Sequence, residues 1–263
     1  MLDYIFFLKV ILSFIIGGSI ISLFISLGER TKAKYAGFLL GLPITSAVGL
    51  FFIGFTQSAE AASEAVTIMP ITLAMGFVFL LSFLKLHSKF GAVKSIIIST
   101  LIFCLFSAAF AYLNFTNIFL NSAIFLFAAL FTFIYTRKFA EAKASSRAGK
   151  NEIIARALFA GAIIAMAVIA AKLFGSLWGG VFAAFPATYI STMYISVKRH
   201  SIGFAKSVVR GIPSGILGTL AYYFVVYYLY PVYGIFLGTI IGYAIAIAFP
   251  LALKFAYNSI AKN

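Results

Sequence analysis

The chain has 263 residues, of which 63% are hydrophobic and 10% charged, and its formal net charge is +14. A soluble domain carries about 45–50% apolar and about 25% charged residues, so water is excluded as the solvent and the bilayer takes its place. The positive charge is no nucleic-acid footprint, because the basic residues lie in short loops between long apolar runs.

About 20 apolar residues are needed to cross the hydrocarbon core. The first such run, 4–28, is too long for the core of a signal peptide. Glu29-Arg30-Thr31-Lys32 follows it where a cleavage site would need small residues, so it reads as a span. Further spans are predicted at 36–56, 66–86, 94–113, 117–136, 153–174, 177–197, 208–230 and 234–256, about nine in all. Asn114-Phe115-Thr116-Asn117 and Tyr230-Pro231-Val232-Tyr233-Gly234 divide the longest runs.

Basic residues follow span one (Arg30, Lys32, Lys34) and surround the loop after span three (Lys85, Lys89, Lys94). They crowd the connector after span five (Arg137, Lys138, Lys143, Arg147, Lys150, Arg156), follow span seven (Lys198, Arg199, Lys206, Arg210) and end the chain (Lys254, Lys262). Every second loop is therefore basic. The positive-inside rule then predicts a cytoplasmic (inner) membrane protein of a prokaryote, with its N-terminus outside and its C-terminus inside. Tyr222, Tyr223, Tyr227, Tyr228, Tyr230 and Tyr233 gather near the outer end of span eight, as an aromatic belt would. Cys104, the one cysteine, reads as a small buried apolar residue and excludes an intramolecular disulfide.

A shift of 143 residues lays the sequence on itself. Gly37 falls on Gly180, Pro43 on Pro186, Thr45 on Thr188, Pro70 on Pro213 and Gly91 on Gly234, without a gap. The ladder Gly91, Ser95, Ser99 falls on Gly234, Gly238, Gly242. Span one matches span six once about four residues of loop are allowed, setting Leu27-Gly28 against Phe174-Gly175. Equivalent spans lie five apart, an odd number, so the two units have opposite orientation. The acidic loop Ser58–Val66 and its basic counterpart Ser201–Val209 agree with that inversion. The fold expected is all-α, a polytopic membrane protein with 4+1+4 inverted-topology repeats. Its parts are residues 1–113, a linking fifth helix and basic connector at 114–152, and residues 153–263.

Gly37-x5-Pro43-x-Thr45, an Ala-rich turn and then Pro70 form a pattern that resembles the GlpM-like family of small membrane proteins (DUF3147). The second unit is closer, with Gly179-Gly180-Val-Phe-Ala-Ala-Phe185-Pro186-Ala-Thr188, Gly203-Phe-Ala205 and Gly211-Ile-Pro213. The resemblance implies one unit of about four spans, present here twice and joined through span five. It implies architecture rather than chemistry.

Chemistry has few places to sit. All six acidic residues, Asp3, Glu29, Glu60, Glu64, Glu141 and Glu152, fall in loops or at span ends, and Lys9 and Lys172 read as snorkelling residues. His87 and His200 lie in loops. No enzyme motif, metal cluster or cofactor signature appears, so the chain is not expected to be an enzyme.

What remains are prolines inside spans two and seven. Pro43 is followed by Thr45 and Ser46, and Pro186 by Thr188, Tyr189, Ser191 and Thr192. A proline there frees a carbonyl about one turn earlier, near Leu39 and Phe182. Carbonyls and hydroxyls supplied by both inverted units would form a midplane substrate site, or the prolines would be plain kinks. Pro70 and Pro213 read as structural prolines near helix starts. Lys206 and Arg210 are candidates for anion access, against a topological and lipid-contacting role. The ladder Gly234, Gly238, Gly242 would pack span nine on span four or form a homodimer seam.

Two functions follow. The first is a secondary transporter or facilitator of a small anionic or weakly polar solute, including a lipid-linked one, by alternating access. The second is a non-catalytic membrane scaffold or accessory subunit of an envelope assembly. A polar cavity between spans two and seven favours the first, and a dry seam there favours the second.

Overall fold

Backbone N–H and C=O groups in hydrocarbon must be satisfied within the protein, which drives a chain this apolar into helices. The computed structural model describes residues 4–28, 33–142 and 149–260. Asp3, Glu29, Arg30, Lys32, Lys143, Arg147 and Lys262 lie outside them.

The described elements are α1 (Tyr4–Gly28), α2 (Ala33–Gly41), α3 (Ile44–Thr56), α4 (Ala59–Tyr112), α5 (Ile118–Thr136) and α6 (Lys150–Phe174). Then come α7 (Ser176–Ala183), α8 (Ala187–Arg199), α9 (Ile202–Gly211), a 3-10 turn (Ile212–Gly215) and α10 (Ile216–Ile260). Seven helical stretches among the described residues are long and apolar enough to cross a membrane. Large apolar side chains face outward, including Phe7, Leu105, Phe127 and Phe236, each more than 60% exposed. Such a surface suits lipid and not water.

α4 has 54 residues and would measure about 80 Å if straight, far beyond a core of about 30 Å. It is broken at Gly91, whose φ of 71° belongs to the left-handed side that glycine alone adopts without strain. α10 is broken in the same way at Gly234, φ 74°. There the chain folds back on itself, so that Gly242 packs on the Tyr222 ring, Gly238 on Tyr230 and Gly218 on the Ala246 backbone.

Two expectations change here. Tyr222, Tyr223 and Tyr230 are fully buried instead of forming a belt, because Gly238 and Gly242 leave notches for two of the rings; Tyr228 and Tyr233 stay exposed. Those two glycines are thereby packed within the chain. Cys104 is exposed, on the outward face of residues 92–112, and not buried.

The prolines of spans two and seven do more than kink. Helix stops at Gly41 and resumes at Ile44, and stops at Ala183 and resumes at Ala187, with Pro43 and Pro186 capping the second pieces. Pro70 lies about three turns inside α4, because Ser58 caps that helix at its start by accepting from the Ala61 N–H. Pro213 instead sits in the 3-10 turn after α9.

Backbone conformation agrees at positions 143 apart. Pro43 and Pro186 have φ/ψ of −77°/37° and −77°/39°, and Gln57 and His200 have −120°/−87° and −126°/−91°. Ser58 and Ser201 are both extended helix caps. Close approaches are reciprocal at the same spacing. A Cβ on Gly37 would strike the Val208 carbonyl oxygen, and one on Gly180 would strike that of Ala65. A Cβ on Gly18 would strike the Ala157 carbonyl, and one on Gly161 that of Phe14. The α1–α6 crossing therefore keeps the ungapped 143 spacing, where the sequence suggested a four-residue allowance.

These approaches bring helices together without side chains between them, the usual device where lipid supplies no hydrophobic drive. Gly37→Val and Gly180→Val are each expected to lose about 1–3 kcal/mol through overpacking. Gly203→Ala, whose added carbon meets only Ser201 Oγ at 3.4 Å, should be neutral. Thermal unfolding followed in detergent compares the three.

Candidate functional site

Each proline lacks an N–H and disfavours helix in the residue before it, so the chain before Pro43 and Pro186 closes in tight turns. The Leu42 N–H donates to Leu39 O at 3.2 Å and that of Ile44 to Leu42 O at 2.8 Å. In the second break, Phe185 N–H donates to Phe182 O at 3.0 Å and Ala187 N–H to Phe185 O at 2.8 Å. The carbonyls expected to be free, Leu39 and Phe182, are thus occupied. The one that needs a partner lies two residues later: Gly41 O, buried, accepts from Thr219 Oγ1 at 2.6 Å.

The two breaks meet. A cavity of about 30 Å³ is lined by Pro43, Thr45 and Ser46 on one side and Pro186, Thr188 and Tyr189 on the other. Leu73, Phe125, Phe185, Ile216 and Thr219 form further parts of the wall. A water needs about 10–15 Å³ measured this way, so the space takes about two waters or a very small solute. Helix geometry leaves the first-turn amides of Thr45, Ser46, Thr188 and Tyr189 without intrahelical acceptors, and both N-termini carry partial positive charge. Ser46 is held by Tyr223, whose hydroxyl donates to Ser46 Oγ at 2.8 Å.

Six of the eight residues assigned from sequence to the substrate site are therefore brought together. The other two are not. Ser191 turns its hydroxyl back to Thr188 O at 3.2 Å and lines a different crevice. Thr192 is buried away from the cavity, its Oγ1 without a hydrogen-bond partner among the described residues. Arg210 Nη1 donates to Phe139 O at 2.6 Å, and Lys206 Nζ lies 5.6 Å from the Phe139 ring centre. With Ser207 Oγ accepting from Ala142 N–H at 3.1 Å, they anchor the segment after α5 on α9 and do not line the cavity.

Sequence reasoning missed Thr219 and Phe125. Nothing in an apolar run singles out one threonine. It also placed Arg156 in a connector, whereas Arg156 is 3% exposed in α6. Lys9 does more than snorkel, since its ammonium donates to Phe55 O at 2.9 Å, near the end of α3. Among the described residues no group of three or more His, Cys, Asp or Glu side chains could hold a metal.

Fold and site together define an all-helical polytopic membrane protein in which two interrupted helices meet around a small, hydroxyl-lined cavity. Residues 153–257 match the family described as "Protein of unknown function (DUF3147)". The match takes in Gly179 to Pro213, the second-unit part of the resemblance, and does not reach Gly37, Pro43, Thr45 and Pro70 of the first. No curated protein and no solved structure matches the chain.

Thr219→Val removes the donor to a buried carbonyl and is expected to cost about 1–3 kcal/mol, more than Thr219→Ser, which keeps it. Thermal melts of the two variants in one detergent check this.

Proposed function

We propose that the chain is a secondary transporter or facilitator for a small anionic or weakly polar solute, working by alternating access around the cavity between the two helix breaks. The observation that carries this reading is the convergence of Pro43-x-Thr45-Ser46 and Pro186-x-Thr188-Tyr189 on one cavity. Two N-terminal half-helix dipoles facing a common space favour negative charge there, as discontinuous helices do at midplane sites.

The proposal includes nine crossings, with α4 and α10 each counted as two helices joined at Gly91 and Gly234. It also includes a 4+1+4 arrangement of inverted units, with α5 as the extra crossing. Matching dihedrals and reciprocal glycine contacts at the 143-residue spacing support both. The N-terminus then lies outside and the C-terminus inside an inner membrane. In alternating access the two units exchange conformations, so a cavity of about 30 Å³ corresponds to an occluded state. The same small volume favours the second reading, a scaffold subunit with a closed seam.

Reconstitution separates them. Proteoliposomes should pass at least one of a panel of small organic anions faster than empty vesicles, with Pro43→Ala and Pro186→Ala each slowing flux by about tenfold. Absence of flux for every anion, with a stoichiometric partner retained in mild detergent, would favour the scaffold. Orientation is checked separately in a Cys104→Ser background. Glu60→Cys and Gly203→Cys, both at exposed positions, should be labelled by an impermeant maleimide from opposite sides of the membrane.

A further inference from the structure

Beyond the cavity, the molecule carries two larger crevices open to its outward surface. One, about 360 Å³, is walled by Val93, Ile96 and Ile97 of α4, Phe159 of α6, and Ile190 and Ile195 of α8. The other, about 480 Å³, lies between α1, α3 and the end of α10, and includes Ile16, Phe51 and Phe52. They are counterparts at the 143-residue spacing, since Ile16, Phe51 and Phe52 correspond to Phe159, Tyr194 and Ile195. Their walls are apolar in both cases, as a hydrocarbon chain would need.

They differ at one end. The α4/α6/α8 crevice closes on Glu152, Arg156 and Tyr194. Glu152 accepts from Arg199 Nε at 3.0 and 3.1 Å and lies 3.6 Å from Lys198 Nζ. Lys198 Nζ in turn sits 5.5 Å from the Tyr194 ring centre. Two cations, Lys198 and Arg199, thus face the Glu152 carboxylate, and a third, Arg156, lines the same end of the crevice. These charged groups sit where α6 begins and α8 ends. The other crevice has only Thr239 and Tyr243 as polar lining.

We propose that the α4/α6/α8 crevice binds an anionic phospholipid, with an acyl chain along Ile97, Phe159 and Ile190 and the phosphate held at Arg156, Lys198 and Arg199. A long apolar slot with a basic end matches that amphiphile, whereas a neutral zwitterion would bring its own cation to the same place. The slot also abuts the central cavity. The Phe159 ring lies edge-on to Phe185 with centroids 6.4 Å apart, and Phe185 lines the cavity. Ser191, in the slot, donates to the carbonyl of cavity-lining Thr188. The binding site does not depend on transport, and its test reads binding alone.

The test is native mass spectrometry of the full, detergent-purified chain with added phosphatidylglycerol or phosphatidylcholine of identical chains. Phosphatidylglycerol should be retained about tenfold better, a difference of about 1.4 kcal/mol. Ile97→Trp, which fills the slot, and the exposed pair Lys198→Gln/Arg199→Gln should each erase most of that preference. Ile20→Trp in the other crevice should leave it intact. Equal retention of the two lipids by the unaltered chain would overturn the proposal, as would an equal loss on Ile20→Trp. Competition by inorganic phosphate at equal concentration would also overturn it, since the headgroup alone would then suffice. If Ile97→Trp does not yield monodisperse protein, the glutamine pair decides the matter.

Discussion

A helix interrupted inside a bilayer exposes carbonyls and amides that no water can receive, and each group left unsatisfied costs several kcal/mol. The bond from Thr219 to the Gly41 carbonyl meets that constraint at the first break. The tight turns ending at Ile44 and Ala187 meet part of it at both. The cavity, the converging half-helices and their positive ends exist only because the interruptions are tolerated.

The surrounding packing keeps those interruptions in place. Gly37 and Gly180 bring α2 and α7 into backbone contact with α9 and α4, so the short pieces before each proline are held along their length. Gly18 and Gly161 do the same for α1 and α6. Eight- and nine-residue helices are too short to persist alone, and contact with longer neighbours supplies what their own hydrogen bonds cannot. Phe125, from α5, closes the cavity from a helix with no counterpart at the 143-residue spacing.

Much of this was legible because glycine and proline act through the backbone, where sequence speaks most directly. The breaks at Pro43 and Pro186 came from such residues, whereas the loop at residues 114–117 was read from its asparagines. Asn117 caps α5 by accepting from the Phe119 and Leu120 N–H groups. Side-chain roles were harder to see. Six tyrosines in an apolar stretch fit an interfacial belt on composition, and only the facing glycines eight and twenty residues away show that two of them turn inward. Arg156 looked like part of a basic connector because the run around it is charged, yet α6 begins six residues before it. Thr219 is one hydroxyl in a run of hydrophobic residues, and its partner lies 178 positions away.

The two sides of the cavity are alike in backbone but not in side chains. Where the first half has Ser46 the second has Tyr189, and where the first has Gly76 the second has Thr219. The Tyr189 ring fits because Gly76 is bare, a Cβ there coming within 3.2 Å of it. Two copies of the second half, docked head to tail, would drive a threonine into that ring. The two sides of the cavity are therefore complementary and not interchangeable, one leaving bare the space that the other fills.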